Sequence, residues 1–515
     1  VVNEVQCSKA PDEWVELKNV GDAPLSTAGF FVGDAVDDRD GAVAVPVAVV
    51  RAGGYVVVRG DLGLSCDADE AVLFLGDEVV DRAPVRAPSD ADLATWGRVP
   101  DGKGAFALTP ETPGRANRPF IDERDSVFAD GVARVDLFVN VDEETRLRNE
   151  GKDAGYLPAR LRFTGADGVA SPVQRVDVRI KGSITRRPWD GKPSLKIHFA
   201  RHDGAGPREL RGLRKLTLNN LTYDPSFIRE RLAFAVMRAV GHPGARTGWA
   251  EVFVNGTPKG LYSTIETYDR VFLADHHDET VVMYESDGQT PVGMLGGFDV
   301  DEGVDDFAPL LALASRLEQV AGTSGELDLR ASIPEIDWLQ IARTMALEDL
   351  IAHFDGHRGA AHNFFLHLDG GGRWTMLPWS VDLSMVTQGS IGGGPIASSG
   401  LFAQLCDRDP QCRAWFERAR DDAAQAVLAE DWTTRVVDWS TLLAGYARSV
   451  DEPFSGNEFW NGVTTDVVGN ARDAVLLLRS RAESIRCATA AARGIVDNDD
   501  PGCSGFAADV VRSLP

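Results

Sequence analysis

This 515-residue chain lacks long apolar runs, an excess of basic residues and closely spaced cysteines. No stretch approaches the ~18 consecutive apolar residues that a membrane-crossing helix needs. Lys and Arg number 53 against 78 Asp and Glu, giving a formal net charge of −25. The acid is spread along the chain. A nucleic-acid partner needs concentrated Lys and Arg, so none is expected, and the charge reads as a solubility feature. None of the cysteines forms a CxxC pair, which leaves a structural zinc site without its usual ligand spacing. HExxH and GxSxG are absent too, which argues against a zinc protease and a serine hydrolase of the nucleophile-elbow type.

What remains is an ordinary globular composition, 43% hydrophobic and 25% charged, with a length that suggests roughly two to four domains. The cysteines fall into three local pairs: Cys7 with Cys66, Cys406 with Cys412, and Cys487 with Cys503. Even, local pairing points to disulfides and to an exported, oxidising setting, extracellular, periplasmic or at the cell surface. Six cysteines alone permit about fifteen connectivities. The chain starts at Val1 rather than Met, so a leader is expected to have been removed.

Residues 1–119 look all-β. Short apolar runs (Trp14–Leu17, Phe30–Val32, Tyr55–Val58, Ala71–Leu75) are separated by turn pairs such as Gly21-Asp22, Gly53-Gly54 and Gly76-Asp77. That spacing predicts a β-sandwich, and Pro110, Pro113 and Gly114 mark its end. The segment resembles the lamin-tail domain in Asn3-Glu4-Val5, Trp14–Leu17 with Asn19, Gly53-Gly54-Tyr55, Gly97-Arg98, and Thr112-Pro113-Gly114 with Asn117. The resemblance implies an immunoglobulin-like sandwich, Glu4 and Glu16 as structural hydrogen-bonders, and a module for cell-surface or extracellular partners.

From Val127 the pattern changes. Val135–Val139, Val176–Ile180 and Ser194–Phe199 read as strands, with a polar Lys181–Arg186 turn before the last. Lys196 and His198 share one face of their strand, and Lys192 precedes it. A turn between strands followed by a strand lysine suits the gripping of phosphates, although no GxGxxG is present. Leu216–Asn220 is another strand. Asp224-Pro225 should open a helix running to Gly241, with Glu230 in reach of a strand lysine. Ala250–Val254, Asn255-Gly256 and Gly260–Glu266 form a hairpin.

The most informative stretch is Leu350–Met385. A helical pattern over Ile341–Ile351 leads into a loop holding His353, Asp355, His357 and Asn363. Two short strands follow around Gly370-Gly371-Gly372, and Asp382 lies just beyond the second. A hairpin brings its ends together, so Asp355, Asn363 and Asp382 can converge. Hard oxygen side chains of this kind suit Mg²⁺ with phosphate oxygens, and protein kinases place a catalytic Asp, a metal-binding Asn and a metal-binding Asp in this order. The Asp355–Asn363 separation differs from HRDxxxxN, so the loop path must differ as well. His353 and His357 stand four apart, but Gly356 and Gly359 place them on a loop rather than on a metal-binding helix face.

RIKGSITR, KPSLKIHF, LRKLTLNNLTYDPSFIRERLAFAVMRAVGHPGAR, EVFVNGTPKGLYSTIE and PWSVDLS together resemble the CotH (spore-coat protein H) family of atypical secreted kinases. The resemblance implies a multidomain chain: the all-β sandwich, then an α+β kinase-like domain over 127–490 and a tail over 491–515. The kinase-like domain would have a small lobe over about 127–290 and a helical large lobe over about 330–490. It implies Mg²⁺ and ATP, with transfer of phosphate to protein hydroxyls. Asp355 would be catalytic and Asn363 and Asp382 would hold metal. Lys192, Lys196, Gly182, Ser183, Glu230 and Glu266 would serve the nucleotide. The chain departs from the family at Lys181, where an Arg is common, at Lys192-Pro193, where a paired lysine is common, and at Ser380, where an acid is usual. A catalytically silent surface or adhesion module and a kinase-fold enzyme with a different ATP-dependent transfer are the alternatives. Acidic loops at Asp299–Asp306 and Asp497–Gly502 are candidate Ca²⁺ sites, against solvated loops.

Overall fold

The computed structural model describes residues 1–7, 13–36, 39–65, 69–85, 94–99, 101–110, 112–117, 123–182, 186–199, 208–277, 279–286, 297–386, 396–446 and 466–492. The chain divides into two compact units, Val1–Asp122 and Glu123–Pro515.

In the Val1–Asp122 unit, five antiparallel strands run in the order 105–110, 94–99, 2–6, 14–18, 55–59, and a second sheet runs 43–44, 30–33, 69–75, 78–85. Val5, Val15, Val58, Val32, Leu73 and Ala83, from both sheets, share one apolar core. Glu4 and Glu16 are buried. The Glu4 carboxylate accepts from the Thr95 hydroxyl and from the Thr112 hydroxyl (2.8 Å) and N–H (3.0 Å). Glu16 accepts from Asn3 Nδ2 at 2.8 Å. Both glutamates therefore tie strands together.

In the Glu123–Pro515 unit, seven strands close into a barrel: Val132–Phe138, Leu157–Thr164, Gln174–Lys181, Ser194–His198, Lys215–Asn219, Thr257–Glu266 and Thr247–Val254. The last pairs in parallel with the first, Val132 to Leu137 against Trp249 to Val254. The expected small lobe is thus a closed barrel. Single-strand alternation does not encode that closure, because it depends on one long-range parallel pairing. Val176, Val178, Ile180, Leu195, Ile197, Leu216 and Leu218 belong to one interior cluster. Strand period two then turns Arg179, Lys181, Lys196 and Asn219 outward. The hairpin at Asn255-Gly256 forms as expected; φ is +49° and +81° at its two central residues, as a type I′ turn requires.

The helix expected from Asp224 begins later, at Arg229, and runs to Ala239. Leu221 and Phe227 have φ of +57° and +60°, which breaks helical geometry before that point. Asp224 instead braces the turn, accepting from Ser226 N–H (2.9 Å) and Arg229 N–H (2.7 Å).

A second sheet, in the order 298–303, 280–286, 364–369, 374–378, lies in the helical part. Its helices include Ala308–Ala321, Trp338–Leu350, Leu401–Arg408, Pro410–Ala429, Trp432–Leu443 and Val467–Ala492. Among the described residues no helix is long and apolar enough to cross a membrane. A disulfide joins Cys406 to Cys412, between the Leu401–Arg408 and Pro410–Ala429 helices. Cys7 and Cys487 are disulfide-bonded too. Cys66 and Cys503, their expected partners, lie outside the described residues, as do the tail and its Asp497–Gly502 run.

Candidate functional site

The outward face of the barrel strands carries the site. Lys181 ends the Gln174–Lys181 strand, and the chain turns at once at Gly182, whose φ of +101° suits a residue without Cβ. The Lys181 ammonium stands 5.5 Å from the centroid of the Trp379 ring and acts electrostatically on Glu230 and Asp382. Glu230 comes from the first turn of the Arg229–Ala239 helix. Its carboxylate accepts from Asn219 Nδ2 at 3.2 and 3.3 Å, and Ser194 Oγ donates to Asn219 Oδ1 at 3.0 Å. Two barrel strands therefore aim Glu230. Asp382 sits in the 3-10 turn Val381–Leu383, after Ser380 in left-handed backbone. Ser380 Oγ donates to Asp382 Oδ1 at 3.1 Å.

These three groups titrate abnormally. Burial holds Asp382 and Glu230 above the usual carboxylate range, and the Lys181 charge opposes both shifts. Burial lowers Lys181, and the two carboxylates work against that. Glu230 and Asp382 are buried and Lys181 is half-buried, and the Arg229 guanidinium and the Asp224 carboxylate also act on Asp382, so two cationic groups face three carboxylates.

The loop after the Trp338–Leu350 helix supplies the rest. Asn363 Nδ2 donates to Asp355 O and Oδ2, both at 2.9 Å. The Asn363 amide nitrogen is thereby committed to Asp355. Burial raises the Asp355 carboxyl, with the His362 and Asn363 side chains opposing the shift. The Asn363 carbonyl accepts from Trp379 N–H at 2.9 Å, which carries the Phe364–Asp369 and Trp374–Pro378 ladder one step further toward Asp382. His353 meets the Trp379 carbonyl at 3.2 Å, which ties this end of the loop to the residue after the hairpin. Burial lowers His353 to about 4 and His357 to about 3, which leaves both neutral. Among the described residues no group of three His, Cys, Asp or Glu has metal-holding geometry.

The remaining candidates are placed differently. Lys196, whose side chain is 5% exposed, is held by Glu285 at 2.8 Å and Asp301 at 3.5 Å. Burial opposes its charge, but Glu285 and Asp301 outweigh it and raise the pKa. Lys215 meets Asp301 at 3.3 Å and also Glu302. The acidic run expected to be a solvated loop or Ca²⁺ site is thus partly a strand, Phe298–Gly303, with Asp301 and Glu302 taken by lysines. Lys192 directs its ammonium at the ring of the barrel-core residue Tyr262, 5.4 Å from its centroid. Glu266 is bound by Arg246, through Nε at 3.0 Å and backbone N–H at 3.1 Å, and does not join the Lys181 group. Ser183 lies outside the described residues. In the sequence Lys181 stands out only as a departure from the family pattern. The signal for it was available: strand alternation puts it on the same face as Arg179, directly before a glycine turn.

A sequence profile described as CotH kinase protein matches residues 178–448, more than half of the chain. The chain is also 23% identical over 262 residues to inner spore coat protein H of Bacillus subtilis (strain 168), covering 48% of this chain and 67% of that protein. The matched span contains Lys181, Glu230, Asp355, Asn363 and Asp382, and on that match the chain belongs to the CotH kinase protein family.

Proposed function

We propose that this chain transfers phosphate from ATP to protein hydroxyls, with the nucleotide phosphates held where Lys181, Glu230 and Asp382 meet. The observation that carries the reading is that meeting itself. A strand end, a helix and the turn after a hairpin set one half-buried ammonium within electrostatic reach of two buried carboxylates. Lys181 neutralises phosphate charge, and Glu230, aimed by Asn219, holds the ammonium in position. Asp382 and the Asn363 amide oxygen fit Mg²⁺, a hard cation that prefers oxygen ligands. Mg²⁺ supplies positive charge against the phosphates when bound. Asp355, with a carboxyl raised by burial, accepts the hydroxyl proton. Gly182 starts the turn that covers the phosphates. Lys181 replaces Lys192 and Lys196 in this assignment, and Glu266 has no part in it. The immunoglobulin-like character of the first unit and the kinase-like character of the second belong to this same reading. So does a location at a surface or coat after export, in keeping with the relative's name.

Ser380 favours a second reading, nucleotide binding with little or no turnover. A hydroxyl is a weaker metal ligand than the acid the family usually carries there, so metal affinity should be on the order of millimolar. The test is nucleotide-dependent thermal shift across a Mg²⁺ titration, with γ- and α-labelled ATP run in parallel. Asp382→Asn should abolish the Mg²⁺-dependent shift, and Ser380→Asp should move it to lower Mg²⁺. Label should transfer from the γ position only. No shift in wild type at any Mg²⁺ concentration, together with no gain in Ser380→Asp, would sink the reading.

A further inference from the structure

Glu348 is fully buried in the last turn of the Trp338–Leu350 helix. A carboxylate at that end of a helix opposes the helix dipole, and no described side chain is hydrogen-bonded to it. Its partners are two backbone N–H groups, His357 at 3.1 Å and Arg358 at 2.9 Å. These open the short helix His357–Ala360, whose N-cap, Gly356, has no side chain to offer. Glu348 therefore caps a helix in the very loop that carries Asp355 and Asn363. The Arg358 guanidinium turns elsewhere, donating to the Ile396 carbonyl at 2.9 Å and lying 4.3 Å from the centroid of the Phe416 ring.

The loop is fitted closely over this carboxylate. A Cβ at Gly356 would come within 2.5 Å of His353 Cδ2 and 2.8 Å of Glu348 Oε1, and one at Gly359 within 2.1 Å of the Phe354 carbonyl oxygen. Ala352, Ala361 and Asn363 have φ of +52°, +53° and +52°, a conformation that side-chain-bearing residues hold only when their surroundings impose it. We infer that Glu348 is a positioning residue: its carboxylate fixes residues 356–358 and through them the placement of Asp355 against Asn363. Burial pushes its carboxyl up to about 7, against the His357 and Arg358 N–H groups and the Arg358 charge, which oppose the shift. The inference rests on the phosphotransfer reading for what the loop does, but not for what holds the loop.

The test uses the full chain and two variants. Glu348→Gln keeps the volume and replaces one acceptor with a donor facing an N–H. Gly356→Ala leaves the carboxylate intact and pushes the chain off it; Gly356 has φ −84° and ψ −172°, which alanine adopts without strain. Amide hydrogen exchange should accelerate at least ~10-fold at His357 and Arg358 in both variants while the barrel strands stay protected. With ATP and Mg²⁺, turnover per bound nucleotide should fall ~10- to 100-fold while the KM for ATP changes less than ~3-fold. Unchanged exchange across residues 353–363 in both variants overturns the inference. So does faster exchange with wild-type kcat. A wild type without any turnover defeats the phosphotransfer reading instead, and Glu348 is then judged on exchange alone, accelerated or not. If Glu348→Gln does not fold, Gly356→Ala decides.

Discussion

Lys181→Met separates the Lys181 assignment from its rivals most sharply, since it removes one half-buried positive charge and keeps an unbranched chain of similar length. An ammonium–phosphate contact is worth about 1.5–3 kcal/mol, so affinity for Mg-ATP should fall about 10- to 150-fold. Removing one partner of a close buried ion pair typically costs about 3–5 kcal/mol when the other stays charged, but Lys181 is half-buried and acts on Glu230 and Asp382 without a direct ion pair. The loss should be smaller here near neutral pH, because burial already holds Glu230 and Asp382 above the usual carboxylate range, and protonation can make good the missing charge. In the variant both carboxyls rise further, so the folded state holds protons that the unfolded state gives up. Its stability is therefore lost as pH rises through the folded-state pKa values. The destabilisation should be about 1–2 kcal/mol at pH 6.5 and larger at pH 8.5. The assay is thermal and urea unfolding at both pH values, with and without Mg-ATP, alongside Lys196→Met. If Lys181→Met keeps the wild-type nucleotide shift while Lys196→Met loses it, the assignment of the two lysines is wrong.

Two further outcomes follow from the same charges. Lys196→Met strands Glu285, which lies 2.8 Å from the ammonium; it should cost about 3–5 kcal/mol in urea unfolding, yet leave the size of the Mg-ATP shift unchanged. In the first unit, burial raises Glu16 to about 7, ahead of the opposing bonds from Asn3 and Gly114. A raised acid holds its proton more tightly when folded, so that unit should gain stability as pH falls from about 8 toward about 5. Hydrogen exchange of residues 2–6 and 14–18 measured across that range would show it, and slower exchange at the alkaline end would contradict it.

What the sequence made legible was local. Strand alternation at Val176–Ile180, the Asn255-Gly256 turn, and the helix–loop–hairpin order from Ile341 to Asp382 all follow from near-neighbour rules, and the structure contains each of them. What it hid was set by distant partners. Lys196 looked like a phosphate lysine because it shares an outward strand face with His198. Its role is decided by Glu285 and Asp301, about a hundred residues later, and nothing near residue 196 records them. Glu266 was expected to serve the nucleotide, and the hairpin sets it against Arg246 instead. Asp224 looked like an N-cap, and the left-handed backbone at Leu221 and Phe227 is not visible in residue types that rarely adopt it. Glu348 carried no signal at all. A glutamate in a helical pattern reads as solvated, and only burial against the backbone of residues 357 and 358 reveals what it does.

Ser380 becomes intelligible through the charge count at Lys181. The group already holds Lys181 and Arg229 against Glu230, Asp382 and Asp224, and burial has raised Glu230 and Asp382. An aspartate at residue 380 would bring a further carboxylate close to Asp382, since Ser380 Oγ is 3.1 Å from Asp382 Oδ1. Two like charges about 4 Å apart at an effective dielectric of about 20 repel by about 4 kcal/mol. Without a metal, that repulsion must be relieved by protonation or borne as lost stability. With a divalent cation between the carboxylates it becomes affinity. Serine avoids the repulsion and instead donates a hydrogen bond to the carboxylate that remains. On the proposed Mg²⁺ reading, serine at residue 380 gives up metal affinity for stability in the metal-free state.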